Sequence, residues 1–164
     1  MRLSFPGITV DIEPLAAPGR PAERAAVDKL AARNFPGAHI DHDPDGAPRL
    51  AGIDGVHISI SHGAGFAVLS WGNVAHGIDI EAPREQLRRV ARRFVAPGEE
   101  AGSLTSLLSL WTAKEAVYKA ARTPGLSLTD ILVSADMAVT GERSYRLYYS
   151  AVAGAMLCVA VALG

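Results

Sequence analysis

The chain has 164 residues, 49% of them apolar and 20% charged, with a formal net charge of −1. That balance excludes a disordered chain, leaves length for a real core, and gives no global positive field for nucleic acid. Its one cysteine, Cys158 in the apolar run AMLCVAVAL, excludes an internal disulfide framework and suits a reducing cytoplasm.

That run is too short for a membrane helix, and MRLSFPGITV lacks the apolar core of a signal peptide. The expectation is therefore a cytoplasmic protein without membrane contact. Residues 3–12 read as a first strand interrupted at Pro6-Gly7. Pro14, Pro18, Gly19 and Pro21 make a loop, and Pro21 can open a helix at its first turn. That helix is expected over about 22–34, with Ala26, Val27, Leu30 and Ala31 inward and Arg20, Arg24, Lys29 and Arg33 projecting from or near it. HIDHDPDGAPRL starts like a calcium loop. The position that needs Glu falls on Gly52, however, and Pro44 interrupts, so the stretch reads as an Asp-Pro-Asp-Gly turn. Val56, Ile58 and Ile60 alternate with His57, Ser59 and Ser61, a strand with one polar face. Residues 66–71 read as a second strand, and Gly72-Asn73 as a hairpin turn into a third.

The third strand is Gly77-Ile78-Asp79-Ile80-Glu81. Alternation sends the isoleucines to a core and sets Asp79 and Glu81 together on the other face. Residues 84–94 form a short helix with Leu87, Val90, Ala91 and Phe94 on its apolar side. Arg84, Arg88, Arg89, Arg92 and Arg93 make its rim. A long helix over about 103–122 follows, stopped by Thr123-Pro124-Gly125. Leu104, Leu107, Leu108, Trp111 and Tyr118 make its apolar stripe, with Trp111 read as core, Glu115 in mid-stripe and Lys114 near a border. An inward carboxylate needs a partner, either Lys119 one turn on or a metal. Convergence of Asp79, Glu81 and Glu115 would raise one another's pKa unless a cation sits between them, and oxygen donors favour a hard ion such as Mg²⁺. Stretches 126–133, 145–149 and 155–163 read as strands, with turns at Gly141 and Gly154. His39, His42, His57 and His76 show no ligand spacing. Each half reads as a helix followed by paired apolar strands ending near a glycine, SWG and ALG. The expected fold is α+β, with two similar lobes, 1–75 and 76–164, and a cleft between them.

GIDIE at 77–81, RRF at 92–94, WTAKEAVYK at 111–119 and GLSL at 125–128 together resemble the 4′-phosphopantetheinyl transferase superfamily. ISISH at 58–62 resembles its single-chain, pseudo-dimeric branch. The likeness covers about 46–133. It implies transfer of the phosphopantetheine arm of coenzyme A to a serine of an acyl or peptidyl carrier protein, with release of 3′,5′-ADP. It further implies Asp79, Glu81 and Glu115 as Mg²⁺ ligands, Lys119 at the pyrophosphate, Ser61 and His62 at the coenzyme's phosphates and Pro48 near the adenine. Glu115 is also the candidate base for the serine hydroxyl, with Lys119 neutralising charge on the leaving side. The arginine helix is read as a dock for an acidic carrier helix through Arg88, Arg89, Arg92 and Phe94. Ala47 stands where the family's motif has Lys before Pro48. The alternative is therefore a catalytically weak or inactive relative that binds coenzyme A or a carrier domain. No P-loop and no G-x-G-x-x-G is present, which leaves ordinary nucleotide folds unsupported.

Overall fold

The computed structural model describes residues 1–164. In chain order the elements are β1 (Arg2–Phe5), β2 (Ile8–Pro14), α1 (Arg20–Asn34), β3 (Ile40–His42), β4 (Pro48–Leu50), β5 (His57–Gly63), β6 (Phe66–Gly72) and β7 (His76–Glu81). Then come α2 (Gln86–Val90), running into a 3-10 turn Ala91–Arg93, α3 (Leu104–Ala121), a 3-10 turn Leu128–Asp130, β8 (Leu132–Ser134), β9 (Met137–Thr140), β10 (Arg143–Val152) and β11 (Ala155–Ala162).

Two antiparallel sheets hold the molecule, in the orders β1-β2-β6-β5 and β7-β11-β10-β9-β8, with β3 and β4 a separate small hairpin. Strand alternation decides the layering. Ile8, Val10, Ile12 and Val68 of the first sheet meet Ile78, Ile80, Leu157, Val159 and Val161 of the second in one shared core. The other face of the first sheet, with Ile58, Ala67 and Leu69, is covered by Ala26, Val27, Leu30 and Ala31 of α1, as the helical spacing predicts. The other face of the second, with Tyr145, Leu147, Cys158 and Ala160, is covered by Ala113, Ala116, Val117 and Ala121 of α3. Burial pushes the Cys158 thiol well above its ordinary range, which suits an inert small hydrophobe.

The connectivity repeats. In the first sheet, β2 leads through α1 to the hairpin β5–β6, and β6 returns beside β2. In the second, β7 leads through α3 to the hairpin β10–β11, and β11 returns beside β7. Strands β5 and β7 meet edge to edge, but side chains join them. Ser59 Oγ accepts from the Ile78 N–H at 3.1 Å and Ser61 Oγ from the Ile80 N–H at 3.3 Å. Gly63 permits the approach, since a Cβ there would lie 2.1 Å from the Ile80 carbonyl oxygen.

Several expectations need correction. Gly72-Asn73 is not a hairpin turn, because β6 pairs with β2 and β5 whereas β7 pairs with β11; the chain changes sheets there. Residues 126–133 are a 3-10 turn followed by the short β8, and β9 was not anticipated. Along α3, Tyr118 is 43% exposed and Lys114 is fully buried, the reverse of a single stripe. The helix meets two partners in turn. Leu107, Leu108 and Leu110 pack on Leu87 and Phe94, and the later residues pack on the sheet, so its inward arc rotates along its length. Ser103 and Ser106 close a reciprocal cap at its start, and Arg122 ends it in the left-handed region, φ 48°.

Asp11 on β2 is 2% exposed. Its carboxylate accepts from Arg2 Nε at 2.7 Å, Asn34 Nδ2 at 2.9 Å and Arg33 at 3.2 Å. The Arg2 hydrogen bond above all, with Asn34 and Arg33 adding, holds the carboxyl down at about 2. A depressed folded-state pKa gives stability that is present above the unfolded value of about 3.9 and lost as pH falls towards 2. Asp11→Asn is expected to lose about 1–2 kcal/mol at pH 7, the partners being half exposed, and almost nothing near pH 2. Urea unfolding at the two pH values measures the difference; an equal loss at both rejects the assignment.

Candidate active site

The site begins with a missing side chain. A Cβ on Gly77 would stand 2.0 Å from the Ala116 carbonyl oxygen and 2.7 Å from the Ala120 nitrogen, so the α3 backbone rests directly on β7. That contact brings Lys119 over the strand. Its Nζ donates to Asp79 Oδ1 at 2.8 Å and to the Ile78 carbonyl at 2.9 Å. Ser61, itself buried, donates its hydroxyl to the same Asp79 Oδ1 at 2.8 Å. The other carboxylate oxygen, Asp79 Oδ2, is buried with no partner. Leaving such an atom unpaired is costly, and a cation beside it would remove the cost.

Glu81 leaves the same face of β7 and accepts from Trp111 Nε1 at 3.1 Å. Trp111 is therefore a polar contact of the site as well as a packing residue. Arg84 donates to Glu81 at 3.4 Å and lies 5.8 Å from the centroid of the Trp111 ring. Burial raises the Glu81 carboxyl, opposed by the Trp111 hydrogen bond and reinforced by the charge of Asp79. Burial raises Glu115 as well, with Asp79 and then Glu81 adding to the rise and Lys119 and Arg84 opposing it. The three acids thus lie within each other's fields. They are not gathered into ligating distance, since no group of three His, Cys, Asp or Glu side chains stands close enough to hold a metal ion. The orphaned Oδ2, the all-oxygen donor set and the mutual repulsion fit a hard divalent cation, for which Asp79, Glu81 and Glu115 are the side chains at hand.

A cavity of about 1540 Å³ opens beside this cluster, between the start of α1, the β3–β4 hairpin, β5 and the end of α3. Pro48, His62 and Lys119 line it, as does Ala47. Asp79, Glu81, Glu115 and Ser61 are not on its wall; Lys119 connects the two, one face in the cavity and its ammonium on Asp79. Arg20, Arg24, Arg49 and Arg122 also line the cavity, with Arg49 and Arg122 ion-paired to Asp41, Asp43 and Asp45. Arg122 ties the end of α3 to the β3–β4 turn, reaching Asp43 and Asp45 at 2.7 Å each. Burial lowers the His62 imidazole, with Glu23 opposing and Lys119 adding to the lowering.

Arg88, Arg89 and Arg92 are exposed on the segment between β7 and α3. Phe94, expected as their apolar companion in docking, is fully buried and meets Trp111 edge-on at 5.2 Å, so it belongs to the packing and not to the surface. No ligand spacing singles out His76. It is buried at the start of β7, with Nε2 2.9 Å from Ser70 Oγ and Nδ1 2.9 Å from the Val74 carbonyl. The sequence also hid the pair Lys114–Glu99, joined at 2.6 Å behind the site.

No helix is long and apolar enough to cross a membrane. No curated protein matches this chain. Residues 75–154, which carry the strand of Asp79 and Glu81 and the helix of Glu115 and Lys119, match the ACPS family model, the 4'-phosphopantetheinyl transferase superfamily, and the match indicates a transferase of phosphopantetheinyl groups in general.

Proposed function

We propose that this chain transfers the 4′-phosphopantetheine moiety of coenzyme A to a serine hydroxyl of an acyl or peptidyl carrier protein, with Mg²⁺, leaving 3′,5′-ADP. The observation that carries the reading is the buried, unpartnered Asp79 Oδ2 next to Lys119, at the edge of a cavity large enough for a dinucleotide-sized ligand. The repeated strand–helix–hairpin order supports two similar lobes, 1–75 and 76–164, with the cavity as their cleft.

Asp79, Glu81 and Glu115 would hold the Mg²⁺, which would supply charge withdrawal from the phosphates of the anhydride. The chain's own residues do the rest. Lys119 offers its ammonium to the anionic ligand from the cavity wall and neutralises the charge that grows as the phosphoanhydride breaks. His62 and Pro48, on the same wall, hold the phosphates and the adenine side. Ser61 orients Asp79 through its hydroxyl. Glu115, raised by burial and by Asp79, is the proton acceptor for the attacking serine hydroxyl. Arg88, Arg89 and Arg92 present an exposed positive face for an acidic carrier helix, next to where the serine must enter.

An assay by mass spectrometry with apo carrier protein, coenzyme A and Mg²⁺ tests the reading. Wild type is expected to add the phosphopantetheine mass, and chelation of Mg²⁺ to stop it. Glu115→Gln is expected to lose about 100-fold or more in rate while the chain still folds; a rate near wild type ends the base role. Ala47, which puts a methyl on the cavity wall where the motif has a lysine, favours the second reading, a weak or inactive relative that binds without transfer. Coenzyme A binding without any mass added to a panel of carriers selects it.

A further inference from the structure

Six large apolar side chains remain exposed: Met1, Val74, Tyr118, Leu132, Val139 and Leu163. Single exposures of this kind are ordinary on a protein surface, and all but one of these residues are absent from the cavity wall. Tyr118 is the exception, 43% exposed and on the wall. Its ring is also the one phenol, phenyl or indole there.

The fold makes no use of that ring. Phe5 and Tyr148, Phe35 and Trp71, and Phe94 and Trp111 lie against each other, whereas Tyr118 has no ring partner. The contact of α3 with its sheet is made by Ala113, Ala116, Val117 and Ala121. Helical geometry decides where the tyrosine goes instead. Neighbouring side chains on a helix leave about 100° apart. Lys119 turns onto β7, where its ammonium meets Asp79 at 2.8 Å. Tyr118 is carried off that line and into the cavity. One ligand can thus meet the ammonium with an anion and the ring with a flat group.

The wall beside the end of α3 suits a flat, uncharged group. Arg122 caps the helix one turn after Tyr118 and holds the β3–β4 turn through Asp43 and Asp45. That hairpin puts Ala47 and Pro48 on the wall, and Val56 and Pro124 add to its apolar part. The charges of Arg49 and Arg122 are met by Asp41, Asp43 and Asp45. Ala47 offers a methyl and no ammonium, so recognition on this side falls to shape and stacking.

We propose that Tyr118 is the platform on which the adenine of the coenzyme stacks, a specificity-determining residue that supplies a hold on the nucleotide where Ala47 supplies none. The proposal rests on the coenzyme reading given above and adds to it a base-recognising group on α3. A base offers its π-face to an aromatic ring, and the contact needs no charge.

Isothermal titration calorimetry on the full chain with Mg²⁺ tests it. Wild type, Tyr118→Phe and Tyr118→Ala are each titrated with coenzyme A and with pantetheine 4′-phosphate, which has the arm and a phosphate but no base. Tyr118→Ala is expected to weaken coenzyme A binding by about 10-fold or more and to leave pantetheine 4′-phosphate unchanged. Tyr118→Phe, which keeps the ring, is expected to bind coenzyme A like wild type. Equal coenzyme A binding by wild type and Tyr118→Ala overturns the proposal. An equal loss for both ligands also overturns it, because that marks a disturbed site and not a lost stack. Both of these outcomes leave the coenzyme reading standing, whereas a wild type that binds no coenzyme A overturns that reading and this proposal together. Should Tyr118→Ala not fold by circular dichroism, Tyr118→Leu keeps apolar bulk without the ring. The same selective loss is then expected, and no loss overturns the proposal.

Discussion

Gly77→Ala is expected to lower the melting temperature by about 10 °C, the equivalent of roughly 3 kcal/mol in a chain of this size. The added Cβ would meet the Ala116 carbonyl oxygen at 2.0 Å, the Ala120 nitrogen at 2.7 Å and the Lys119 Cβ at 3.0 Å. Two of these are helix backbone atoms, which cannot rotate aside as a side chain can. The helix must lift from β7, and the cost belongs at or above the upper end of overpacking, about 1–3 kcal/mol. Lifting α3 also draws Lys119 away from Asp79 and Glu115 away from the acids of β7. Transfer should therefore fall further than stability does, by about 10-fold or more in whatever fraction remains folded. Gly102→Ala is the control, because nothing lies within 4 Å of its would-be Cβ. Thermal unfolding of both variants decides the matter, and a Gly77→Ala chain that melts with the control refutes the close helix contact.

Glu99→Ala is expected to cost about 3–5 kcal/mol, the range for removing one partner of a buried ion pair. Glu99 Oε2 accepts from Lys114 Nζ at 2.6 Å and from the Ala96 N–H at 2.7 Å, and Oε1 accepts from the Val133 N–H at 2.8 Å. Lys114 Nζ also donates to the Phe94 carbonyl at 2.6 Å. One carboxylate thus fastens the linker before α3, the helix itself and β8. Truncation leaves a fully buried ammonium with no counter-charge. Lys114→Met/Glu99→Gln is expected to recover part of the loss, since no ion is then buried and the methionine fills a similar volume. Chemical denaturation of the single and double variants measures both effects, and a double variant no better than the single one would show that the backbone hydrogen bonds, not the ion pair, carry the cost.

Local periodicity was enough to place much of this fold. The inward face of α1, the two faces of β7 and the extent of α3 follow from residues close together in the chain, whose burial is set by alternation at period 2 or 3.6. What failed depended on distant partners. Nothing near residues 76–81 says that β11, far along the chain, supplies the neighbouring strand, so β6 seemed the natural one. Lys114 looked like a border residue because its partner Glu99 lies in a loop without periodicity. Phe94 looked available because its neighbours are arginines, yet it closes the cluster around Leu87 and Leu107. In the candidate site, Asp79 and Lys119 touch, and the three acids share one electrostatic neighbourhood without forming a ready-made ligand set.

The way β5 and β7 are joined has a mechanical consequence. A strand ladder yields only by unzipping, each lost bond exposing the next. Ser59 and Ser61 are each 4% exposed, so an amide released by either hydroxyl would meet no water to replace it. The seam is thus pinned by two buried oxygens, and Ser61, which also donates to Asp79, makes the alignment of the two sheets and the aim of that carboxylate one and the same thing.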